Sequence, residues 1–367
     1  MQQIGKNQLS ILIIIFLIGS TPLFELGMKA KQDAWLAMSL AAAAGLLLTV
    51  IYVHIQKRAP GAGLAELFIM HFGKWIGSAV GLIYAVWFAY ESMRNVRDVG
   101  ELTAVALLTL TPKWIVMLMI LGVSAYCVSK GVEVFIRVVQ LLFPIAAFSY
   151  FIIILLLFIA RLPNIQQLLP VLEYGSIPVI QAAFPSLLSF PFGQMVIMLV
   201  FWKYVNEKKA IGRISYWSQI AVSLFLVMMN ALIMSVLGPE LSKLSTLPLL
   251  EVVQLIRLAN FLERIDAIVT LLLFIGLYVK MTAFYMASVL TFKAITGIAH
   301  RYSVMPVGIV IYVSSFFEPN YTYHIWIGLD ITLKIVPLFQ VALPMLMLMV
   351  GVRKKYKQSY KVQAGDL

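Results

Sequence analysis

Cysteine, histidine and charged residues are scarce in this sequence, and each scarcity excludes a class of function. The single cysteine, Cys127, cannot form an intramolecular disulfide and cannot build a thiolate zinc site by itself. The four histidines stand at no metal-ligand spacing, so neither a metal nor a cofactor is expected. The chain has no phosphate-binding glycine loop and no nucleophile close to a base, so an enzyme is not predicted.

Apolar residues dominate instead. They make up 62% of the 367 residues, charged residues make up 12%, and mean hydropathy is +0.94. These values are typical of a polytopic membrane protein. At about 20 residues per span, we predict a single transmembrane domain over 1–367 that ends in a short basic tail, 353–367. The predicted spans are 9–28, 34–55, 76–98, 114–130, 134–160, 182–204, 212–237, 265–293, 303–317 and 332–352.

The net charge of +12 indicates orientation in the bilayer rather than a nucleic-acid partner, because the basic residues lie in short loops between apolar segments. With the N-terminus inside, 17 of the 28 lysines and arginines fall on the inner side and ten on the outer side, with Lys280 left within a span. Both termini are therefore predicted to be cytoplasmic.

Three connections are predicted to carry structure of their own. Residues 60–73 have the spacing of a short interfacial helix on the inner side. Residues 161–181 form an outer segment broken by prolines, and 249–262 have the spacing of an amphipathic helix over the outer face.

The first span is interrupted by Gly19-Ser20-Thr21-Pro22. Proline removes a backbone donor and clashes with the preceding turn, while the two hydroxyls can bond exposed carbonyls. Such a break persists in a membrane only where it is buried in protein or faces a polar cavity. The sequence Ser189-Phe190-Pro191-Phe192-Gly193-Gln194 interrupts the sixth span in the same way.

The two breaks lie five spans apart, so the interrupted segments enter the membrane from opposite sides, as inverted repeats require. Paired interrupted helices at corresponding positions of two halves indicate a transporter-type binding site. We therefore predict inverted repeats at about 9–160 and 182–352. The alternative is that both breaks are ordinary proline kinks.

The chain resembles the B subunits of spore germinant receptors, a branch of the amino acid–polyamine–organocation transporter superfamily. The resemblance rests on overall length, ten spans, Thr21-Pro22-Leu23-Phe24, Pro191-Phe192-Gly193 and the basic tail. It implies an all-α fold of five-plus-five inverted repeats with discontinuous first and sixth helices. It also implies location in the spore inner membrane, a small nutrient ligand such as an amino acid, and association with A and C subunits.

The ligand is expected between spans one, three, six and eight. Backbone groups freed at the breaks suit the carboxylate and ammonium of a zwitterion. By resemblance, Gly19, Ser20 and Thr21, with the adjoining Pro22, correspond to first-helix ligand contacts. Phe190, Phe192 and Gly193, with Pro191 between them, correspond to those of the sixth helix. Further candidates that could hydrogen-bond a ligand are Tyr84, Tyr90 and Thr282.

The third span carries a row of charges at helical spacing, namely Glu91, Arg94, Arg97, Asp98 and Glu101. Spacings of three and four allow Glu91 to reach Arg94 and Arg97 to reach Glu101. Charges within a membrane are costly, and they mark functional sites unless they neutralise one another. Both interpretations are open here: proton coupling through Glu91 and Arg94, or a self-neutralised ladder that holds the span in place.

Lys280 lies in the middle of the eighth span with no acid within two helical turns. By resemblance, that helix faces the unwound first helix where sodium binds in sodium-coupled members. The ammonium could therefore replace the cation and bond carbonyls around Gly19 and Ser20. The alternative is a structural pair with Glu25 or Glu91.

The preferred function is nutrient sensing by a germinant-receptor subunit. A proton-coupled amino acid transporter is the first alternative, and a scaffold or ion-conducting subunit with a vestigial pocket is the second.

Overall fold

The computed structural model describes residues 3–24, 26–106, 110–245, 247–256 and 265–352, and these form a bundle of helices. The α-helices, numbered in chain order, are α1 Lys6–Ile18, α2 Ala34–Arg58, α3 Leu64–Phe72, α4 Lys74–Ala106, α5 Lys113–Lys130, α6 Val132–Ile159, α7 Ser176–Ala182, α8 Met198–Phe201, α9 Ile211–Leu244, α10 Pro248–Gln254, α11 Ile265–Thr296, α12 His300–Ser314, α13 Tyr321–Trp326, α14 Leu333–Ile335 and α15 Leu343–Val350. Short 3₁₀ helices cover Thr21–Leu23, Met28–Asp33, Ile165–Leu168, Phe192–Ile197, Trp202–Tyr204 and Lys208–Ala210, and π-helical turns cover Ala183–Leu187, Ile327–Thr332 and Leu338–Ala342.

Nine helical segments of the described residues are long and apolar enough to cross a membrane. They are Lys6–Leu23, Met28–Arg58, Lys74–Ala106, Lys113–Lys130, Val132–Ile159, Ser176–Tyr204, Lys208–Leu244, Asp266–Thr296 and Tyr321–Val350. The remaining predicted span, 303–317, corresponds to α12, whose 15 residues extend about 22 Å. This helix is therefore shorter than a hydrocarbon core of roughly 30 Å.

The first break separates α1 from the 3₁₀ turn Thr21–Leu23. The Thr21 hydroxyl donates to the Leu17 carbonyl at 2.7 Å, which satisfies a carbonyl left free where the helix ends. A Cβ at Gly19 would come within 3.2 Å of the Gly276 carbonyl oxygen on α11. The small residue therefore lets the broken end of α1 lie directly against the backbone of α11.

The sixth segment, from Ser176 to Tyr204, is interrupted twice. A π-helical turn over Ala183–Leu187 follows α7, and Phe192–Ile197 forms a 3₁₀ helix before α8. Between them the freed carbonyl of Ser189 accepts from Gln340 Nε2 at 3.1 Å. A side chain from the last segment therefore satisfies the unwound backbone, as burial within a membrane protein requires.

Helices α4 and α11 pack along each other at the centre of the bundle. The Ser92 hydroxyl donates to the Met281 carbonyl at 3.0 Å, and the Ser288 hydroxyl donates to the Ala85 carbonyl at 2.7 Å. These bonds fix the relative position of the two helices that carry the charges of α4 and Lys280.

The predicted connections differ in detail from their expected form. The helix expected within 60–73 is α3, but it is mostly buried against α4 instead of lying freely at the interface. The proline-rich outer segment carries the 3₁₀ turn Ile165–Leu168 and leads into α7. The helix expected over 249–262 is α10, Pro248–Gln254, and residues 257–262 of that prediction lie outside the described residues.

Candidate functional site

The two breaks face a common cavity of about 50 Å³, which has room for a few water-sized groups. The first break contributes Ser20 and Phe24, and the sixth segment contributes Phe190 and Gln194. The rest of the lining comes from α4 and the last segment: Glu91, Arg94, Asn95, Asp98, Gly328, Leu329, Thr332, Leu333 and Val336.

Glu91 lies at this cavity, and its carboxylate pairs with no base among the described residues. It accepts from Trp87 Nε1 at 3.1 Å and from Gln194 Nε2 at 3.3 Å. The side-chain oxygens of Gln194 and Asn95 are buried, and no described residue donates a hydrogen bond to either of them. Three side chains with acceptor oxygens, Glu91, Asn95 and Gln194, therefore line one small space. Buried polar atoms in proteins normally have a hydrogen-bond partner, so the two unpaired amide oxygens suit a ligand that donates hydrogen bonds.

Lys280 is fully buried behind the first break. Its ammonium donates to Ser20 Oγ at 3.1 Å and lies 4.2 Å from the centre of the Phe190 ring. No carboxylate lies within 4.0 Å of it among the described residues. The ammonium thus contacts the unwound first helix through the Ser20 hydroxyl, where the sequence suggested backbone carbonyls, and the alternative pair with Glu91 does not form within 4.0 Å. Glu25, the other partner considered, lies outside the described residues.

Arg94 does not pair with Glu91 as its spacing suggested. Its guanidinium contacts Glu318 Oε1 at 3.2 Å and donates to the His324 carbonyl at 2.7 Å. Gly328 packs against the same guanidinium, where a Cβ would collide with it. Arg94 therefore ties α4 to the segment 315–328, because partners from a distant segment approach it more closely than its helical neighbour does.

His324 joins this arrangement, although its position in the sequence suggested no role. Its Nδ1 contacts Glu318 and its Nε2 lies 3.0 Å from Asp98 Oδ1. The Tyr321 hydroxyl also donates to Asp98, at 3.3 Å. Glu318 lies in the loop between α12 and α13. Burial alone would raise the pKa of its carboxyl, but the hydrogen bond and charge of His324 together with Arg94 and Arg97 outweigh burial, so the pKa is lowered.

The predicted pair of Arg97 and Glu101 is present, with Nε and Oε1 3.1 Å apart. Lys113 adds a second cation at 2.6 Å from Glu101 Oε2, and Arg97 also donates to the Ser315 carbonyl at 3.1 Å. We refer to Arg94, Arg97, Asp98, Glu101, Lys113, Glu318 and His324 as the outer network.

The predicted tyrosines lie near the cavity without lining it. Tyr90 shares a 2.8 Å hydrogen bond with Thr332, which does line it. Tyr84 donates to the Phe339 carbonyl inside an aromatic cluster. Thr282 donates to the Tyr278 carbonyl at 2.7 Å and shares a 2.8 Å bond with Ser124 of α5, so the structure places it away from the site.

Other residues predicted at the breaks have packing partners elsewhere. Thr21 and Pro22 line a separate cavity of about 20 Å³. Phe192 is fully buried against Gly45 of α2, and Gly193 lies against Gln340. Pro191 is buried between these positions, and Gly19 packs against α11 as described above.

The last segment is the contribution that the sequence analysis missed. The π-helical turn Ile327–Thr332 brings Gly328, Leu329 and Thr332 to the cavity. The sequence signal for this turn is that Gly328 and Asp330 stand among apolar residues just before the predicted last span, 332–352. Gln194 stands inside the sixth-span break but is not among the predicted contacts there, which are Phe190, Pro191, Phe192 and Gly193.

Comparisons with known proteins agree with this architecture. A family model described as "Spore germination protein" matches residues 3–323. Spore germination protein KB of Bacillus subtilis is 30% identical over 361 residues, which cover 97% of this chain and 96% of that protein. Spore germination protein A2 of the same organism is 24% identical over 292 residues, 78% of each chain.

Two solved structures share the fold at low sequence identity. One is Mhp1, a nucleobase-cation-symport-1 family transporter that was solved with bromovinylhydantoin bound. It superposes with a TM-score of 0.69 at 12% identity, and the superposition covers 94% of this chain and 77% of the Mhp1 chain. MhsT, solved in complex with L-phenylalanine, gives a TM-score of 0.66 at 11% identity, with coverage of 95% and 98%. The relatives are germination proteins, in agreement with the expectation that the chain is not an enzyme. With its broken first and sixth segments in this transporter fold, and with a family match over most of its length, the chain belongs to the spore germination protein family.

Proposed function

We propose that this protein is the nutrient-sensing subunit of a spore germinant receptor and that it binds a small amino-acid-like ligand in the cavity between the two breaks. The observation that carries the proposal is the convergence of Glu91, Gln194 Oε1 and Asn95 Oδ1 on one buried space, with no cation of the described residues within 4.0 Å of the Glu91 carboxylate. An ammonium group carries three donors, so it would satisfy this set of acceptors.

Lys280 and Ser20 supply the opposite polarity on the first-helix side. The ammonium uses one of its three donors on Ser20, which lines the cavity. A ligand carboxylate near Ser20 would gain a charge-assisted contact with this ammonium. A zwitterion aligned from Glu91 toward Ser20 would therefore complement both charges, which supports an amino acid over a neutral sugar.

The cavity of about 50 Å³ is smaller than the few hundred cubic ångströms of a typical ligand pocket. Binding would therefore displace side chains at the boundary. Phe24 and Phe190, which pack edge to face at 5.9 Å, and Leu329 are the apolar groups in position to withdraw. MhsT, with the same fold, was solved with L-phenylalanine, which supports an amino-acid-sized ligand.

The family match to germination proteins favours sensing as the function. In this proposal the chain lies in the spore inner membrane with both termini on the core side and works with A and C subunits. The second candidate is proton-coupled amino acid transport, which the transporter fold favours. In that case Lys280 or Glu91 would exchange the coupling proton.

Binding can be tested by calorimetric titration of the purified protein in nanodiscs with a panel of L-amino acids. We expect one class of amino acid to bind the wild type and Glu91→Gln to weaken that binding about tenfold or more, as loss of a charge-assisted contact predicts. The matched control is Glu133→Gln, which removes an exposed carboxylate paired with Arg137 and leaves the cavity intact. Equal affinity of Glu91→Gln and wild type for the bound amino acid would contradict the proposed site.

Flux separates the two candidates. In proteoliposomes with an imposed proton gradient, a receptor subunit alone should bind the amino acid without accumulating it, whereas a transporter should concentrate it in the lumen. Accumulation by the protein alone would establish the second candidate in place of the first.

A further inference from the structure

A basic cleft of about 330 Å³ lies far from the ligand cavity, between the end of α2 and the start of α9. Three lysines line it, namely Lys57, Lys208 and Lys209. Its apolar surface comes from Val53, Ile211 and Gly212. The cleft thus combines several cations with an apolar floor.

The positive charge of the cleft is not balanced within the described residues. No carboxylate lines it, and none lies within 4.0 Å of the three lysines. The nearest acids along the chain are already paired, since Glu207 contacts Lys6 at 2.7 Å and Glu66 contacts Lys203. The cleft therefore carries a positive charge that a bound anion would balance.

Its position in the bundle identifies the environment of that anion. Helix α2 ends at Arg58, and the next membrane segment on the other side of the cleft begins at Lys208. The cleft therefore opens at the end of two membrane-crossing segments, where lipid headgroups lie. Both ends fall on the face that the distribution of lysine and arginine assigns to the inside.

Lys208 connects the cleft to the sixth segment. Its ammonium donates to the Trp202 carbonyl at 3.1 Å and to the Lys203 carbonyl at 2.5 Å, where that segment ends. Two of its three donors are thereby used, which leaves one N–H for an anion. Lys57 and Lys209 are exposed, and neither ammonium donates a hydrogen bond to another described residue, so their donors are available.

We propose that this cleft binds the phosphate headgroup of an anionic glycerophospholipid. The lysines would contact the phosphodiester, while the apolar floor would accommodate the glycerol and the first methylenes of the acyl chains. Basic pockets between membrane helices on the cytoplasmic side are a recognised arrangement for anionic headgroups. The bound lipid would lie beside the inner end of the sixth segment and reinforce the position that Lys208 gives it.

The test compares lipid retention by native mass spectrometry of the full chain in detergent, titrated with phosphatidylglycerol and phosphatidylcholine. The test variant is Lys57→Gln/Lys209→Gln, which keeps Lys208 on its two carbonyls. The control is Lys74→Gln/Lys293→Gln, which removes two exposed charges from the same predicted face outside the cleft. A Lys57→Arg/Lys209→Arg variant keeps the charge and reports on folding.

We expect the wild type, the control and the arginine variant to retain phosphatidylglycerol over phosphatidylcholine, and the test variant to lose about tenfold in affinity or more, as two lysines near a lipid surface predict. Equal retention by the test and control variants would overturn the proposal. Competition by free glycerol phosphate as strong as that of the lipid would also overturn it, because the cleft would then recognise phosphate without a membrane lipid. A separate titration with an acidic peptide tests a protein partner. If the test variant loses binding to that peptide and its lipid retention is unchanged, the cleft binds a protein and the lipid proposal is overturned. The experiment needs no nutrient ligand, so its outcome is independent of the proposed function.

Discussion

Two groups of charge meet at α4, where Glu91 lies about one turn before Arg94, and they are built in opposite ways. In the outer network Arg94, Arg97 and Lys113 each contact a carboxylate, and His324 lies between two more carboxylate oxygens. Glu91 and Lys280 are as deeply buried, yet neither has an opposite charge within 4.0 Å among the described residues. In the first group each basic side chain has a carboxylate partner, whereas the second leaves donors and acceptors for a ligand.

The difference in charge pairing indicates that the outer network stabilises the fold, whereas the unpaired charges of Glu91 and Lys280 destabilise it. Removing one partner of a buried ion pair lowers the free energy of unfolding by several kcal/mol, because the other charge is left buried without a partner. A lone buried ammonium is already costly in the folded state. Removal of charge should therefore destabilise the outer network and leave the stability of the Lys280 region almost unchanged.

The largest expected effect is that of Arg94→Met. The change leaves Glu318 and the His324 carbonyl without the guanidinium, so the free energy of unfolding should fall by about 3–5 kcal/mol. Equilibrium unfolding in mixed detergent micelles measures this, with Arg137→Gln as the control, because that exposed pair is worth at most about 1 kcal/mol. Equal losses for the two variants would show that the outer network does not hold α4 to the last segment.

The second prediction concerns Lys280→Met and sharpens the same contrast. The methionine fills most of the volume without a charge, so the unfolding free energy should change by less than about 1.5 kcal/mol, as is usual for hydrophobic replacement at similar volume. The nutrient concentration for half-maximal germination should nevertheless rise about tenfold or more, as loss of a charge-assisted contact predicts. An unchanged dose response in spores that carry normal amounts of the variant would rule out a role for this ammonium in ligand response.

A smaller effect is expected at the border between the two regions, where Tyr90 and Thr332 share a hydrogen bond. Thr332→Val removes one partner of that bond and keeps the shape, so the unfolding free energy should fall by about 1 kcal/mol. Tyr90→Phe should give a similar loss, and the double variant should cost less than the sum of the two. Strict additivity in this double-mutant cycle would show that the two side chains do not interact.

The smallest effect is the pH dependence of the outer network. The pKa of Glu318 is lowered in the folded protein, so its stabilising contribution is complete above the unfolded value of about 4.3 and is lost as pH falls through the lowered value. The difference in melting temperature between wild type and Glu318→Gln should therefore stay constant from pH 7 to pH 5 and narrow only below about pH 4.3. A difference that narrows already between pH 7 and pH 5 would contradict the assigned direction.

The comparison also explains which features the sequence could predict. Both helix breaks were located, because glycine, proline and hydroxyl residues act on the backbone within a few residues of their own positions. The pair of Arg97 and Glu101 was found for the same reason, since residues four apart on a helix are neighbours.

Contacts between distant segments were not predictable in this way. Arg94 pairs with Glu318, 224 residues away, and spacing along one helix carries no information about which segment packs against it. The contribution of Thr332 and Gly328 was missed because it depends on a π-helical turn in the last segment that rotates their face toward α4. The contact of Lys280 with Ser20 was expected only because the resemblance to a transporter superfamily placed those helices together.

Cysteine protection shows whether the ligand occupies the cavity between the breaks. Cys127 is buried and is the single cysteine of the chain, so Thr332→Cys in a Cys127→Ser background gives one reporter at the cavity. Met38→Cys, in the separate cavity beside Thr21 and Pro22, is the matched control. We predict that an amino acid that binds the wild type slows labelling of Thr332→Cys by a small thiol reagent and leaves labelling of Met38→Cys unchanged. Unchanged labelling of Thr332→Cys at saturating amino acid would contradict the account.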